Sequence, residues 1–362
     1  MNPFFVHPDI SQAQTISTEV YNSPHFFDMA KEKIFVAGWQ WAGDADMLAA
    51  NGTCHPFTLL ENYLNEPLLL TKDQEGNIRC LSNVCTHRGN LLVIENCKMA
   101  NIKCSYHGRM FQLDGTFKSM PEFGEVKNFP SAADDLTSLP LFRWNKFLFT
   151  SIGQHLPAEL FFKEMMERVG WLPLQDFQYR PDLSRDYFIN ANWALYCENY
   201  LEGFHIPFVH EGLNATLDFS DYSTELFYPF SSLQLGISKT GKDCFEVPPS
   251  SPDFGKKLAA YYFWVFPNMM FNFYPWGLSV NIIEPQAVNK TKVRFISYVW
   301  KDELRETGAG TNLDKVEMED EEIVQQVQKG VRSRFYTQGR YSVSREKGTH
   351  HFHRLLADFL CK

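Results

Sequence analysis

The hydrophobic pattern changes twice along the chain. Apolar residues at helical spacing predict an amphipathic helix over Ser17–Phe35. From there to about residue 153, short alternating segments such as PLLLTK and NIRCLSNV, separated by Gly, Asn and Asp, predict a small all-β module. Helical segments then alternate with long aromatic strands, most clearly in LAAYYFWVFPNMMFNFYP. We therefore predict an α+β protein with a helical segment at 1–39, a β module at 40–153 and a larger domain, to which the helical segment belongs, at 154–362.

The composition argues against nucleic-acid and membrane partners. Lys and Arg number 34 against 43 Asp and Glu, so the formal charge is −9, whereas phosphate binding needs a basic field. The longest apolar stretch, residues 258–266, is far shorter than the roughly 20 residues of a membrane span. The first ten residues lack a leader pattern, which predicts a cytoplasmic protein. In that reducing compartment, cysteines more often bind metal or pack in the core than form disulfides.

Two Cys-plus-His pairs occur in the β module, Cys85 with His87 and Cys104 with His107, with 16 residues between the pairs. Structural zinc is one interpretation of four such ligands. Zinc-finger spacing, however, usually keeps Cys with Cys and His with His. One of each on each loop is the arrangement that a Rieske 2Fe–2S cluster needs, because one iron takes two thiolates and the other takes two imidazoles. The spacing therefore favours the cluster over zinc.

A second set of candidate ligands lies in NWALYCENYLEGFHIPFVH. Glu198, Glu202 and His205 follow one another at i, i+4 and i+7, which predicts that they share a helical face. Pro207 predicts a helix end just after His205, which lets His210 turn back toward it. Two histidines and a carboxylate suit a mononuclear Fe(II) site. Histidines packed in an aromatic core are the alternative.

With CTHRGN and CSYHG, these segments resemble the catalytic α subunits of Rieske non-haem iron oxygenases. The resemblance implies a helix-grip fold for the larger domain, an antiparallel sheet with flanking helices. It also implies a Rieske cluster on the two Cys-plus-His pairs and a mononuclear iron on His205 and His210. One departure is Arg109, which stands where the family commonly has Trp. We expect it to alter the surface around the cluster, where an electron donor would dock.

The resemblance also implies a third iron ligand, an aspartate near the start of a C-terminal helix. Acidic candidates there are Glu317, Glu319, Asp320, Glu321 and Glu322. Asp320 shares a helical face with Ile323, Val324, Val327 and Val331, so we expect it to point inward as the ligand. Glu317 is the next candidate. Acids enriched at a helix start, where they suit the helix dipole, are the alternative explanation.

By the same resemblance, an acidic residue three positions before the first iron histidine carries electrons between subunits. Glu202 occupies that position, with Glu198 as a possible neighbour of the ligands. The implied working unit is a homo-oligomer, usually a homotrimer. Electrons would come from NAD(P)H through a separate ferredoxin or flavin reductase, and O2 is the co-substrate.

The segment CENYLEGFHIPFVHEGL looks most like choline monooxygenase-like enzymes, which act on quaternary ammonium compounds. Such cations bind in aromatic cages. The candidate cage residues are Phe204, Phe208, Tyr261, Phe263, Phe271 and Phe273, with Trp264, Tyr274 and Trp276 as further candidates. Alternate aromatics on a strand also form ordinary core. The alternative function is an aromatic-ring hydroxylating dioxygenase or an O-demethylase.

A non-catalytic Rieske electron carrier is the alternative from another class. A carrier needs no second iron site, so the set of Glu202, His205, His210 and Asp320 argues against it. Histidines at 350, 351 and 353 could bind metal, but they fall in a polar C-terminal helix. We expect them on the surface.

Overall fold

The computed structural model describes residues 4–153 and 156–361. They pack as two units, one formed by residues 37–153 and the other by residues 4–36 together with 156–361. A β module thus follows an N-terminal helical segment, and the rest of the larger domain follows the module. This arrangement confirms the predicted α+β class. No helix in the described ranges is long and apolar enough to cross a membrane.

The N-terminal segment is not the single helix predicted over Ser17–Phe35. It consists of α1 (Glu19–Asn22), α2 (Pro24–Ala30) and a π-helical turn over Lys31–Val36. Ser23 between the two helices is extended, with φ −92° and ψ 123°. The proline that follows Ser23 disfavours helical backbone at that residue, so the helix is interrupted there.

The β module is built from short antiparallel strands in three sheets. They are β1 (Gln40–Asp44), β2 (Thr53–Leu59), β3 (Glu66–Lys72), β4 (Ile78–Ser82), β5 (Cys97–Lys98), β6 (Ile102–Lys103), β7 (Met110–Phe111), β8 (Phe117–Ser119), β9 (Ser138–Leu139), β10 (Leu141–Trp144) and β11 (Phe147–Thr150). The sheet orders are β1-β11-β10, β5-β2-β3-β4-β9 and β6-β7-β8. Cys85 and Cys104 lie in one buried cluster with Leu69, Leu81 and Phe111, which ties both cysteine loops to the core.

The larger domain has one antiparallel sheet with helices before, within and after it. The helices are α3 (Glu159–Val169), α4 (Trp193–Tyr200), α5 (Ile206–Val209), α6 (Glu211–Thr216), α7 (Leu313–Gly330) and α8 (Lys347–Cys361). The strands are β12 (Gln178–Tyr179), β13 (Arg185–Ile189), β14 (Ser223–Phe227), β15 (Ser231–Ile237), β16 (Leu258–Val265), β17 (Met269–Tyr274), β18 (Gly277–Ala287) and β19 (Lys290–Val299). Their order is β12-β19-β18-β17-β16-β15-β14, and β13 also pairs with β19.

The register of the central strands aligns a row of polar side chains on one face of the sheet. Gln234 pairs with Tyr262, Tyr262 with Asn272, and Asn272 with Ser279. Directly paired residues of antiparallel strands point to the same face, and neighbours along each strand point to the other. The row therefore lies on the face opposite to Tyr261 and its aromatic neighbours.

The histidines of α8 are buried, so the prediction that they lie on the surface is wrong. His350, His351 and His353 are 7%, 4% and 1% exposed. His353 Nε2 lies 3.0 Å from Glu198 Oε1, and its Nδ1 lies 2.5 Å from the Tyr341 hydroxyl. Imidazoles with such hydrogen-bond partners are readily buried. The polar sequence of the helix does not show that these partners are present.

Candidate active site

The two Cys-plus-His loops have the same backbone construction. In each, the cysteine N–H donates to the carbonyl of the residue five positions later, at 2.8 Å in both loops. Gly89 and Gly108 close the loops at φ +72° and +75°, values that a side chain would strain. Their N–H groups donate back to the Cys85 and Cys104 carbonyls at 3.0 and 3.1 Å. The sequence thus builds two matching loops, each presenting one thiol and one imidazole.

The two thiols lie in one buried cluster and the two imidazoles lie side by side, and the four residues fit the ligand set of a 2Fe–2S cluster. Cys85 and Cys104 are each 2% exposed, and the His87 and His107 rings lie 4.8 Å apart. Burial opposes ionisation of Cys104, but hydrogen bonds from backbone N–H groups, with that of Tyr106 first, lower its pKa. His107 Nδ1 is buried and has no hydrogen-bond partner in the described structure. The His107 Nδ1 atom is therefore available to bind a metal. Two thiols and two imidazoles match the ligand set of a Rieske cluster.

Arg109 is buried, so it does not shape the surface as expected from the sequence. Its side chain is 2% exposed and forms an ion pair with Asp134 at 2.7 Å. The guanidinium also stacks over the Phe117 and Phe129 rings, at 4.9 and 5.5 Å from their centroids. A planar guanidinium occupies an aromatic slot well, which is why arginine packs inward at this position.

In the larger domain, His205, His210 and Asp320 come together. One ligand atom from each lies within 4.8 Å of the other two. Asp320 Oδ1 lies 3.0 Å from His210 Nε2 and 3.6 Å from His205 Nε2. Two imidazoles and one carboxylate form the ligand set of non-haem Fe(II) oxygenases, and the donor atoms of these residues fit such an ion.

The helix that was predicted to reach His205 ends earlier. Helix α4 stops at Tyr200, and the turn after it is held by the Glu202 side chain. Glu202 Oε2 accepts from the backbone N–H of His205 at 3.1 Å and from the backbone N–H of Phe204. These hydrogen bonds take the place of those that the two N–H groups would make in a continuous helix. Glu202 Oε1 accepts from His205 Nδ1 at 2.7 Å. Pro207 lies in the first turn of α5 instead of ending α4, a position where proline is favoured.

A carboxylate also holds the second imidazole, and the sequence did not predict it. His210 Nδ1 lies 2.8 Å from Glu319 Oε2, although Glu319 was considered only as an alternative ligand. Asn199 Nδ2 donates to Asp320 Oδ1 at 2.6 Å. Glu198, in contrast, lies beside His353 and does not line the cavity next to the iron ligands, which is described below.

The sequence contains little that identifies Glu319 as the partner of His210, because this contact depends on how α7 packs against α6.

A cavity adjoins the His205, His210 and Asp320 cluster. Its aromatic wall contains Tyr200, Tyr222, Tyr262 and Tyr274, and its neutral polar wall contains Gln234, Asn272, Ser279 and Asn281. Carboxylates of Glu202 and Glu317 also line it, whereas no Lys or Arg among the described residues does so. Burial raises the pKa of all four phenols, which keeps them neutral. The cavity is thus aromatic and carries acidic groups.

The aromatic residues chosen from the sequence mostly lie elsewhere. Phe204 and Phe208 are 41% and 81% exposed. Six others are buried without lining the cavity: Tyr261, Phe263, Trp264, Phe271, Phe273 and Trp276. Of all the candidates, Tyr274 lines it. The alternation along β16 and β17 puts Tyr262 and Asn272 on the face of the sheet that lines the cavity. Both faces of these strands are buried, so the sequence does not show which face lines the cavity.

Comparison with known proteins finds a family match over each of the two domains. Residues 171–361 match the family described as the ring hydroxylating alpha subunit (catalytic domain), and residues 38–130 match the Rieske [2Fe-2S] domain. The chain is 30% identical to chloroplastic choline monooxygenase of Arabidopsis thaliana, over 96% of this chain and 83% of that protein. It is 27% identical to the carnitine monooxygenase oxygenase subunit of Escherichia coli K12, over 99% and 98% of the two chains.

Two solved structures share the fold. One is a quaternary ammonium Rieske monooxygenase whose structure bears on carnitine oxidation and inter-subunit electron transfer, with TM-score 0.77, 22% identity and 98% and 96% of the two chains covered. The other is naphthalene 1,2-dioxygenase from Rhodococcus, with TM-score 0.73, 17% identity and 96% and 94% covered. The predicted oxidoreductase class, Rieske cluster and mononuclear iron are confirmed by family membership. The chain belongs to the family of ring-hydroxylating oxygenase α subunits, Rieske non-haem iron oxygenases.

Proposed function

We propose that this oxygenase uses O2 to oxidise a small quaternary ammonium compound, by hydroxylation or N-demethylation of a choline- or betaine-type substrate. Cys85, His87, Cys104 and His107 hold the cluster in this proposal, and His205, His210 and Asp320 hold the iron. When bound, the cluster supplies electrons and the iron activates O2 beside the substrate.

The cavity next to His205, His210 and Asp320 is the observation that carries the proposal. Its wall has five tyrosine rings, since Tyr196 lines it beside the four named above, and aromatic faces attract cations that cannot donate hydrogen bonds. Glu202 and Glu317 add acidic groups to the same wall. A small cation therefore finds complementary surroundings there. The similarity to choline and carnitine monooxygenases supports the same class of substrate.

The carboxylates around the iron ligands fix the direction of each imidazole. Glu202 and Glu319 bind the Nδ1 atoms of His205 and His210, so each Nε2 is left facing Asp320. Asn199 donates to the Asp320 carboxylate and limits its rotation. These contacts set the tautomer and orientation of the ligands before any metal or substrate binds.

Electron delivery in this proposal involves other chains. Glu202, already bonded to His205, connects that ligand to a Rieske histidine of a neighbouring subunit in a homotrimer. A ferredoxin or flavin reductase supplies the electrons from NAD(P)H. The similar quaternary ammonium monooxygenase, for which inter-subunit electron transfer has been described, supports this arrangement.

Aromatic-ring hydroxylation or O-demethylation is the second candidate function. Apolar side chains of Phe295, Leu313 and Val316 also line the cavity and would suit a flat hydrocarbon. Acidic groups in the same wall favour a substrate with a cationic head over a neutral ring, because they attract the cation.

Single-turnover chemistry tests the proposal. Chemically reduced holoenzyme is mixed with O2 and one compound at a time: choline, glycine betaine, carnitine, proline betaine, benzoate or vanillate. Products are identified by mass spectrometry. We expect demethylation, or oxidation at the choline alcohol carbon, with at least one quaternary ammonium compound. Products from the aromatic acids alone would reject the proposal in favour of the second candidate.

A further inference from the structure

Glu317 is a buried carboxyl group in the cavity wall, and one of its oxygens is unpaired. It lies on α7 one turn before Asp320, is 2% exposed and lines the cavity. Its Oε2 accepts from the Tyr196 hydroxyl at 2.5 Å. Its Oε1 is buried and has no hydrogen-bond partner within the described ranges. An unpaired buried oxygen is destabilising, because it has given up its hydrogen bonds to water.

We propose that the Glu317 carboxylate binds the cationic group of the substrate, an assignment that rests on the proposed function. A quaternary ammonium group has no N–H to donate, so it is recognised through its charge and its methyl surface. The unpaired Oε1 supplies the counter-charge, and the tyrosine faces enclose the methyl groups. Asp320 follows Glu317 by one helical turn and lines the same cavity, so a cation held by Glu317 lies next to the iron ligands.

The surroundings of Glu317 are consistent with such a partner. Burial is the main cause that raises the Glu317 pKa, and nearby Asp320, Glu321 and Asp314 act in the same direction against the Tyr196 hydrogen bond. Burial therefore favours the neutral acid. A bound cation favours the carboxylate and pairs it.

Isothermal titration calorimetry on the holoenzyme tests the assignment with two probes of matched shape. Choline carries the ammonium group, and 3,3-dimethylbutan-1-ol has carbon in place of the nitrogen. We expect Glu317→Gln, which keeps an acceptor for Tyr196, to weaken choline binding by about tenfold or more and to leave the neutral probe within about twofold. Glu322→Gln is the matched control, since it removes an exposed carboxylate from the same helix.

The outcomes separate this inference from the proposed function. If wild-type protein prefers choline and Glu317→Gln keeps that preference with its visible cluster spectrum intact, the Glu317 assignment is wrong while the proposed function stands. If wild-type protein binds the neutral probe as tightly as choline, the proposed function fails, and the assignment fails with it. Glu317→Met is the second variant should Glu317→Gln fold poorly, because an apolar side chain of similar length removes the unpaired oxygen. Retained preference in that variant also overturns the assignment.

Discussion

Glu319 and Asp320, adjacent on α7, bind opposite nitrogen atoms of one imidazole. His210 Nδ1 lies 2.8 Å from Glu319 Oε2, and His210 Nε2 lies 3.0 Å from Asp320 Oδ1. A carboxylate on Nδ1 orients a ligating histidine and raises its basicity. Glu319 is therefore expected to support metal binding although it is not itself among the three converging residues.

Glu319→Gln should weaken retention of the mononuclear iron by about 10- to 100-fold, because the amide replaces a charged acceptor for the His210 ring. Iron is measured against acid-labile sulfide after dialysis with a chelator, which distinguishes it from cluster iron. Glu322→Gln, on the exposed side of α7, should behave as wild type. Equal iron retention in Glu319→Gln and wild type would rule out this role.

The two metal sites should be separable by single substitutions. Cys104→Ala removes a thiol from the converging loops and should abolish the visible cluster absorbance, with loss of about two irons per chain. His210→Ala should keep the colour, lose about one iron per chain and abolish turnover. Iron analysis, visible spectra and product formation are compared for both variants. An active His210→Ala enzyme would show that the iron-site assignment is wrong.

Glu202→Gln should keep the cluster and, in protein loaded with iron, slow electron transfer by about tenfold or more, because the amide cannot accept from both imidazole and backbone N–H groups as the carboxylate does. Cluster oxidation is followed in single turnovers by stopped-flow absorbance, with iron content measured on the same sample. Glu303→Gln, which changes an exposed carboxylate in a short 3-10 helix, serves as the control. Unchanged single-turnover rates in Glu202→Gln would reject the electron bridge.

Burial of His351 makes stability depend on pH. Its pKa is lowered from 6.5 to about 4, with burial as the main cause. The unfolded chain therefore binds a proton more readily than the folded one. The stabilisation is fully present above pH 6.5 and is lost as the pH falls through about 4, with a total of about 3 kcal/mol.

His351→Gln should remove the part of the pH dependence of stability that comes from His351. The difference in unfolding free energy between wild type and variant should shrink by about 2 kcal/mol from pH 7.5 to pH 5, as measured by urea unfolding. Other titrating groups act equally in both proteins and cancel. A parallel pH dependence of the two proteins would show that the folded state does not suppress protonation of His351.

Features with strict spacing were predictable from the sequence. The two Cys-plus-His pairs have a spacing that few other sites share, and with the oxygenase resemblance they led to both iron cofactors. Asp320 was singled out because apolar residues at helical intervals define one face of α7. The aromatic hairpin of β16 and β17 was recognisable from its composition.

Features that depend on packing between elements were not predictable. Tyr262 and Tyr261 are chemically alike and adjacent, yet only the cross-strand register decides that Tyr262 faces the cavity. Glu319 looked like one of several solvated acids until α7 was seen to pack beside His210. The burial of His353 likewise depends on Glu198 and Tyr341, which are distant from it in the sequence or on other elements.

The most direct test of the central claim is a competitive single turnover in one vessel. Reduced holoenzyme is mixed with O2 and an equimolar pool of choline, glycine betaine, carnitine, proline betaine and simple aromatic acids, and every product is quantified by mass spectrometry. The tyrosine-lined, acidic cavity predicts that oxidised or demethylated quaternary ammonium compounds dominate the products. Products derived mainly from the aromatic acids would contradict it.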